Sequence, residues 1–221
     1  MDALETRAHA YAALGDPSRL AIVDLLGHAD LAPGELGVRL GIPTNLMAHH
    51  LQILEHAGLI TRRRSEGDRR RTYVLRTPAC NQLFGTTSHL RRPRRIAFIC
   101  SQNSARSQLA EHYWHTISDI PAVSAGTHPA SRIHPHAAAV ARRHGLDLSH
   151  AAPKLASDIL TGDEFLIAVC DRAYEELDNR PLHWSIPDPA LASSATAFET
   201  AYQDLTSRVD LLAASLEGDP A

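Results

Sequence analysis

The sequence predicts two domains: a mainly α domain with a helix-turn-helix and a β-hairpin, followed by an α/β three-layer sandwich with a parallel sheet. Charge supports the division, since residues 1–95 carry 14 arginines against 9 acidic residues. Residues 96–221 carry 7 arginines and one lysine against 16 acidic residues. Short helix patterns fill the first half, whereas apolar strands alternate with helix patterns in the second. With 221 residues, 44% of them hydrophobic, the chain is long enough to form two cores.

The composition argues against several protein classes. The longest apolar runs, Ile96–Cys100 and Phe165–Cys170, are far shorter than the roughly 20 residues that cross a bilayer. Three cysteines are too few, and odd in number, for a disulfide scaffold. The N-terminus lacks the basic segment followed by an apolar stretch that is typical of a secretory signal. We therefore expect a cytoplasmic protein that makes no use of a membrane.

Three helix patterns occupy the N-terminal half. Asp16-Pro17 is an N-cap followed by proline at the first helical position, and that helix stops at Gly27. Pro33-Gly34 opens a second helix, and Pro43 begins a third. Two β-like runs then bracket a turn at residues 66–68. This order of elements is typical of a winged helix-turn-helix: a helix, a short helix, a tight turn, a helix and a hairpin.

The predicted hairpin is strongly basic. Its ten residues 62–71 contain six arginines against Glu66 and Asp68. Arginines at a hairpin tip can bind phosphates or enter a minor groove, although a charged edge can also serve to prevent strand pairing. Beside a helix-turn-helix, the pattern favours double-stranded DNA as partner. The arginines are Arg62, Arg63, Arg64, Arg69, Arg70 and Arg71.

Residues 4–76 resemble the ArsR/SmtB family of winged-helix repressors, through ALGDPSRLAIVDLL and ELGVRLGIPTNLMAHHLQILEHAGLITRRRSEGDRRRTYVL. The resemblance implies an operator-binding homodimer with Pro43–Glu55 as recognition helix. Four of its residues would face the groove, and His50 would lie inward. The four are Thr44, Asn45, Ala48 and His49. The preceding helix, Glu35–Leu40, lacks the paired cysteines that metal-sensing members often have, so we predict no metal site.

The second half alternates strand and helix patterns. We predict domain boundaries at 1–84 for the DNA-binding domain, 85–93 for a linker and 94–221 for the α/β domain. The predicted strands are Arg95–Cys100, Pro121–Ser124, Phe165–Cys170 and Leu182–Ile186, and the helices run from about Ser104 to His115, from Pro135 to Gly145, and along a final apolar stripe from Phe198 to Leu216.

The strongest chemical signal is Cys100-Ser-Gln-Asn-Ser-Ala-Arg106-Ser107, directly after an apolar strand and at the start of a helix. Such a loop can aim successive backbone N–H groups at one tetrahedral oxyanion, arsenate or phosphate. The helix dipole and Arg106 would stabilise a thiolate at Cys100, and the planar guanidinium would bind two anion oxygens. The predicted oxyanion-binding residues are Ser101, Gln102, Asn103, Ser104, Ala105, Arg106 and Ser107.

Three further motifs accompany this loop: SAGT at 124–127, FLIAVC at 165–170 and HWSIPDPA at 183–190. Together they are similar to the low-molecular-weight tyrosine phosphatase fold and, more closely, to its arsenate reductase branch. The resemblance covers about residues 94–221. It implies Cys100 as nucleophile, Arg106 as oxyanion clamp and Asp188 as general acid. Ala190 stands where the phosphatases usually have tyrosine, which argues against aryl phosphate substrates.

In the reductases a second cysteine displaces arsenite by forming a disulfide, and Cys170 matches that position. The alternative for Cys170 is a buried structural cysteine. The third cysteine of thioredoxin-linked members is replaced by Leu177. No tightly bound cofactor is expected, and the resolving thiol would be external (glutathione, mycothiol or a thioredoxin system) or Cys80. A non-catalytic arsenate or phosphate sensor and a DNA-associated tyrosine phosphatase remain as alternative functions.

Overall fold

A computed structural model describes residues 3–84, 90–178, 181–192 and 194–217. The described residues within 1–65 and 69–89 form one compact unit, and those within 66–68 and 90–221 form another. Within the described ranges, no helix is both long and apolar enough to cross a membrane.

The first unit contains helices and one antiparallel hairpin. Asp16 caps the second helix by accepting a hydrogen bond from the Arg19 N–H at 3.0 Å, and Gly41 ends the third with a φ of +65°. Strand residues Arg62 and Val74 are opposite each other in the hairpin. The elements are α1 (Ala3–Leu14), α2 (Pro17–Leu25), α3 (Pro33–Leu40), α4 (Thr44–His56), β1 (Ile60–Arg64), β2 (Thr72–Arg76) and α5 (Pro78–Phe84).

The second unit is built on a parallel sheet with strand order β4-β3-β5-β6. Every residue of β3 is buried, so both faces of the sheet are covered, as expected for a parallel sheet between helical layers. The elements are β3 (Ile96–Cys100), α6 (Arg106–Ile117), β4 (Ala122–Gly126), α7 (Pro135–Arg143), α8 (Ala156–Ile159), β5 (Phe165–Ala168), α9 (Asp171–Glu176), β6 (Leu182–His183), α10 (Pro189–Ala192) and α11 (Ala195–Glu217). The predicted α/β sandwich with a parallel sheet is confirmed.

Several predicted element boundaries are wrong. The strand predicted over Phe165–Cys170 ends at Ala168, and the one predicted over Pro121–Ser124 covers Ala122–Gly126. The strand predicted over Leu182–Ile186 ends at His183, because the Ile186 N–H turns back to the Trp184 carbonyl at 2.9 Å and Pro187 follows. The helix predicted from Ser104 begins at Arg106, because residues 101–105 form a loop whose carbonyls bond elsewhere in the domain.

The predicted linker, residues 85–93, is only partly described, since residues 85–89 lie outside the described ranges. Of the remainder, the Leu90 N–H donates to the Ser215 carbonyl at 2.9 Å, and Arg92 forms an ion pair with Asp119 at 2.6 Å.

Candidate active site and nucleic-acid interface

The loop between β3 and α6 is held from outside by its carbonyl groups. The carbonyls of Cys100, Ser101, Gln102 and Ser104 accept hydrogen bonds from the backbone N–H groups of Thr127, His128, Ala130 and His134 at 2.7–3.1 Å. Because these carbonyls are turned towards residues 127–134, N–H groups of the loop are turned the other way. One of them, at Asn103, donates to Cys100 Sγ at 3.1 Å. A loop of this shape, called the cradle below, can hold an anion beside the Cys100 sulfur.

Asn103 fixes the loop conformation. Its φ of +49° lies in the left-handed region, which asparagine tolerates better than most residues. The side-chain amide donates to the hydroxyls of Ser107 and Ser124, each at 2.8 Å. Its oxygen accepts from Gln108 Nε2 at 3.0 Å and from the Lys154 N–H at 2.8 Å. All four hydrogen-bonding positions of the amide are thus occupied, which locks the backbone around Cys100.

Cys100 is buried at the N-terminal end of the twelve-residue α6. Its sulfur lies 3.0 Å from the Ser107 hydroxyl. The Asn103 N–H thus points at the sulfur, which lies beside the first turn of α6. These contacts suit a nucleophile.

Arg106 is almost fully buried and is held at two points. Nη1 donates to the Ile186 carbonyl at 2.8 Å, and Nη2 lies 3.1 Å from Asp188 Oδ2. Burial lowers the pKa of Arg106, but the neighbouring Cys170, Cys100 and Asp188 outweigh burial and raise the pKa above its ordinary value. The guanidinium therefore stays charged beside the cradle.

Asp188 closes the other side of a shallow pocket. The Ala190 N–H donates to Asp188 Oδ1 at 3.1 Å, and the side chain keeps 29% exposure, so it can exchange a proton with solvent. The pocket is lined by Cys100, Gln102, Ser104, Ala105, Arg106, His134, Asp188 and Ala190. Sequence alone favours a surface or packing role for His134, because no spacing relates it to Cys100.

Cys170 follows β5, the strand beside β3. The Val169 N–H donates to the Ile99 carbonyl at 2.7 Å, so Cys100 and Cys170 lie at the carboxyl ends of neighbouring parallel strands. The Cys170 sulfur accepts from the Ala173 N–H at 3.4 Å and lies 3.5 Å from the Ser101 hydroxyl. Burial raises the pKa of the Cys170 thiol, which Arg106 partly opposes. The structure thus brings Cys100, Arg106, Asp188 and Cys170 to one end of the sheet.

A supporting network behind the loop was missed in the sequence. The Ser124 hydroxyl donates to Glu111 at 2.5 Å, and Lys154 Nζ lies 3.6 Å from the same carboxylate. Glu111 lies one turn of α6 after Ser107, a spacing that places both on one helix face. That spacing was the available signal for Glu111, whereas Lys154 had none.

A second buried polar pair lies next to Cys170. His183 Nε2 is 3.0 Å from Asp171 Oδ1, and the His183 ring stacks on Tyr174 with centroids 4.2 Å apart. Burial raises the pKa of Asp171, but hydrogen bonds from His183 and Ser185 outweigh it and lower the pKa. This pair fixes the start of α9 against β6.

In the first unit, α4 presents its predicted groove-facing side outward. All four of the residues predicted to contact bases are exposed: Thr44, Asn45, Ala48 and His49. Met47, His50 and Leu51 on the other side are buried. Burial of His50 was expected from the sequence.

The predicted DNA-binding arginines are carried by the hairpin. Arg62, Arg64, Arg69, Arg70 and Arg71 are exposed and Arg63 is half-buried. Arg62 Nε lies 3.0 Å from Glu55 Oε2, an exposed pair that DNA phosphates can displace at little cost. Arg64 donates to the Arg69 carbonyl, which links the two strands close to the turn.

Cysteine, histidine and carboxylate side chains form no metal-like group of three or more among the residues that the structure describes. The cysteines Cys80, Cys100 and Cys170 are all free thiols.

Comparison with known proteins separates the same two regions. Residues 14–63 match a family model described as a helix-turn-helix domain. An arsenate reductase of Shouchella clausii is 32% identical over 104 residues, which are 44% of this chain and 75% of that protein. Arsenate reductase 1 of Staphylococcus haemolyticus is 34% identical over 106 residues, 43% of this chain and 77% of that protein.

Among solved structures, an arsenate reductase in the phosphate binding state superposes with a TM-score of 0.51 at 26% identity, covering 56% of this chain and 99% of that one. The family model of the low molecular weight phosphotyrosine protein phosphatases matches residues 95–221, more than half of the sequence. The chain therefore belongs to the low molecular weight phosphotyrosine protein phosphatase family and also contains a region, residues 14–63, that matches a helix-turn-helix domain.

Proposed function

We propose that this chain reduces arsenate to arsenite with its C-terminal domain and regulates transcription by binding operator DNA with its N-terminal domain. One observation carries the first half of the proposal. Cys100 lies in an anion cradle with Arg106 and Asp188, and a second free cysteine, Cys170, lies at the end of the neighbouring strand. The similarity to arsenate reductases over residues of this same domain supports it.

The first step forms a bond between sulfur and arsenic. The cradle N–H groups and the Arg106 guanidinium hold the arsenate oxygens while the Cys100 thiolate attacks arsenic. Asp188 supplies a proton to the departing oxygen, which leaves as water. The product is a Cys100–arsenic(V) adduct, in which arsenic has not yet been reduced.

The second step transfers the two electrons. The Cys170 thiolate attacks Cys100 Sγ, a disulfide forms, and the electron pair of the sulfur–arsenic bond remains on arsenic, which leaves as arsenite. Two thiols are oxidised and one arsenic(V) is reduced to arsenic(III). An external thiol reductant (glutathione, mycothiol or a thioredoxin system) then returns the disulfide to two thiols, because Leu177 stands where thioredoxin-linked members have a further cysteine.

The regulatory half rests on the first unit. Exposed Thr44, Asn45, Ala48 and His49 on α4 offer groups that read base edges, and the hairpin arginines bind phosphates on either side. We propose that two copies associate through α1 and α5, where Tyr11 packs on Phe84 and Leu4 and Tyr11 remain exposed. Sedimentation equilibrium tests the dimer, and a monomer at micromolar concentration would contradict it.

The activity is tested by arsenite formation from arsenate with the purified full chain and each of the three reductant systems in parallel. Turnover with one system supports the proposal and identifies the reductant. Folded protein that binds arsenate without turnover, and whose operator affinity changes with arsenate, would replace it with a sensor. Hydrolysis of aryl phosphates without arsenate reduction would replace it with a phosphatase.

A further inference from the structure

His134 lines the same pocket as Cys100 and Asp188, yet the proposed reaction gives it no part. It is the N-cap of α7, and its own backbone N–H donates to the Ser104 carbonyl of the cradle at 2.8 Å. This bond ties the position of the imidazole to the loop that would hold the oxyanion.

The His134 ring stacks on the ring of His136, with centroids 5.6 Å apart, and has two closer contacts. Nδ1 accepts a hydrogen bond from the His136 N–H at 3.2 Å. One face stacks on Phe198 of α11, with centroids 4.5 Å apart and planes inclined by 21°. In a neutral ring whose Nδ1 is an acceptor, the proton is on Nε2, so the unengaged nitrogen is a hydrogen-bond donor.

The charge state of the ring follows from its neighbours. Burial, His136 and Arg132 lower the pKa of His134, and together they outweigh Asp188, which raises it. The other titratable or charged side chains that line the pocket are Arg106 and Cys100. His134 is therefore neutral at pH 7 and donates a hydrogen bond without serving as the acid, which leaves proton supply to Asp188.

We propose that His134 is a substrate-binding residue whose Nε2–H donates a hydrogen bond to an oxygen of the tetrahedral oxyanion held by the Cys100 loop. The inference rests on the proposed oxyanion-binding function of that loop. A single side-chain donor on the open side of the cradle complements the backbone N–H groups and Arg106, which hold the oxygens nearer to the sulfur.

Calorimetric binding of inorganic phosphate to the full chain tests this, because phosphate has the same shape as arsenate and is not reduced. His134→Asn keeps an N-cap acceptor, and His134→Phe keeps the stack on Phe198. Loss of one hydrogen bond to a charged group raises the phosphate Kd by about ten- to a hundredfold in both variants. The control His150→Phe, at an exposed histidine of the same domain that does not line the pocket, changes Kd by less than about twofold.

A pH series distinguishes direct contact from a structural effect. Protonation of His134 adds a positive charge to the pocket, so the ratio of wild-type to H134N affinity rises as pH falls below about 6.5. A ratio independent of pH would overturn the inference, and so would equal losses in H134F and H150F. Wild-type affinity in both His134 variants, or no phosphate binding by the wild type, would overturn it as well. If binding depends on His134 but no reductant system gives arsenite, the inference stands and the proposed reduction fails.

Discussion

Arg106 Nη2 lies 3.1 Å from Asp188 Oδ2, so the proposed oxyanion clamp and the proposed proton donor hold each other. The other end of the guanidinium is fixed by the Ile186 carbonyl at 2.8 Å. Because Pro187 and Pro189 flank Asp188, the carboxylate can reach the guanidinium with little loss of conformational freedom. The pair places the acid at the cradle, but its negative charge also competes with a bound oxyanion for Arg106.

Asp188→Asn separates these two effects. The amide keeps the size of the side chain but supplies no acidic proton, so we expect arsenate turnover to fall by about 10²–10⁴. Phosphate affinity should stay the same or increase, because the competing charge is removed. Steady-state arsenite formation and calorimetry measure the two quantities. Turnover within threefold of wild type would show that the proton comes from another group.

Gly126→Ala tests how closely β4 must approach the loop. A Cβ at this position would lie 2.7 Å from the Ser101 carbonyl oxygen and 3.0 Å from the Asn103 nitrogen, both backbone atoms. The cradle must then shift, and we expect phosphate affinity and arsenate turnover to fall by at least tenfold, as a displacement of about 1 Å can cost a hundredfold.

Gly34→Ala is the matched control for that variant. Gly34 lies in α3, and a Cβ there meets no atom within 4 Å, so binding and turnover should not change. Helix propensity even favours alanine by roughly 1 kcal/mol. Equal activity of G126A and G34A would contradict the importance of the close approach.

The raised pKa of Cys170 predicts a pH-dependent second step. Attack on Cys100 needs the thiolate, and burial raises the pKa of Cys170 above its ordinary value of 9.0. In single turnovers, arsenite release should therefore accelerate by up to about tenfold per unit between pH 7 and pH 9. A rate that does not rise with pH over this range would exclude Cys170 as the attacking thiol.

The raised pKa of Cys170 also predicts that the stability of the fold decreases at high pH. A raised pKa means that folding favours the thiol, so this contribution is present below the ordinary pKa and is lost as pH rises through the raised value. The melting temperature of wild type, compared with that of Cys170→Ala, should therefore decline above about pH 9. A constant difference would show that the folded state does not favour the thiol.

The hairpin arginines are tested by the salt dependence of DNA binding. Replacing Arg69 and Arg70 with alanine removes two exposed charges at the tip, so affinity should fall on any duplex. The slope of log K against log salt should become shallower by about 0.9 for each phosphate that is no longer neutralised. Arg142→Ala on α7 of the second unit is the control. Fluorescence anisotropy on duplex DNA measures both, and an unchanged slope would mean that the hairpin does not contact phosphates.

The sequence was most informative where chemistry and chain order coincide. Cys100 and Arg106 are joined by one short loop between a buried strand and a helix, so spacing alone brought them together. Cys170 followed from strand order, since parallel strands end at the same edge. The inward position of His50 followed from the family resemblance, and in the structure His50 is buried with Met47 and Leu54 on α4.

Other features depend on tertiary contacts that no local pattern records. His134 reaches the pocket because the Ser104 carbonyl binds its backbone, 30 positions along the chain. Lys154 likewise forms an ion pair with Glu111, a residue far from it in the sequence. The strand predicted over Leu182–Ile186 is shorter in the structure, because the turn between Trp184 and Ile186 ends the pairing early.

We propose that Cys100 and Cys170 act together to reduce arsenate. Arsenite formation by three proteins tests this directly. Wild type, Cys100→Ser and Cys170→Ser are compared over one turnover and then with each reductant system. We expect wild type alone to form arsenite. Cys170→Ser should form an arsenic adduct on Cys100 without releasing arsenite, and it should still hydrolyse phosphate esters. Normal arsenite formation by Cys170→Ser would contradict the two-cysteine mechanism.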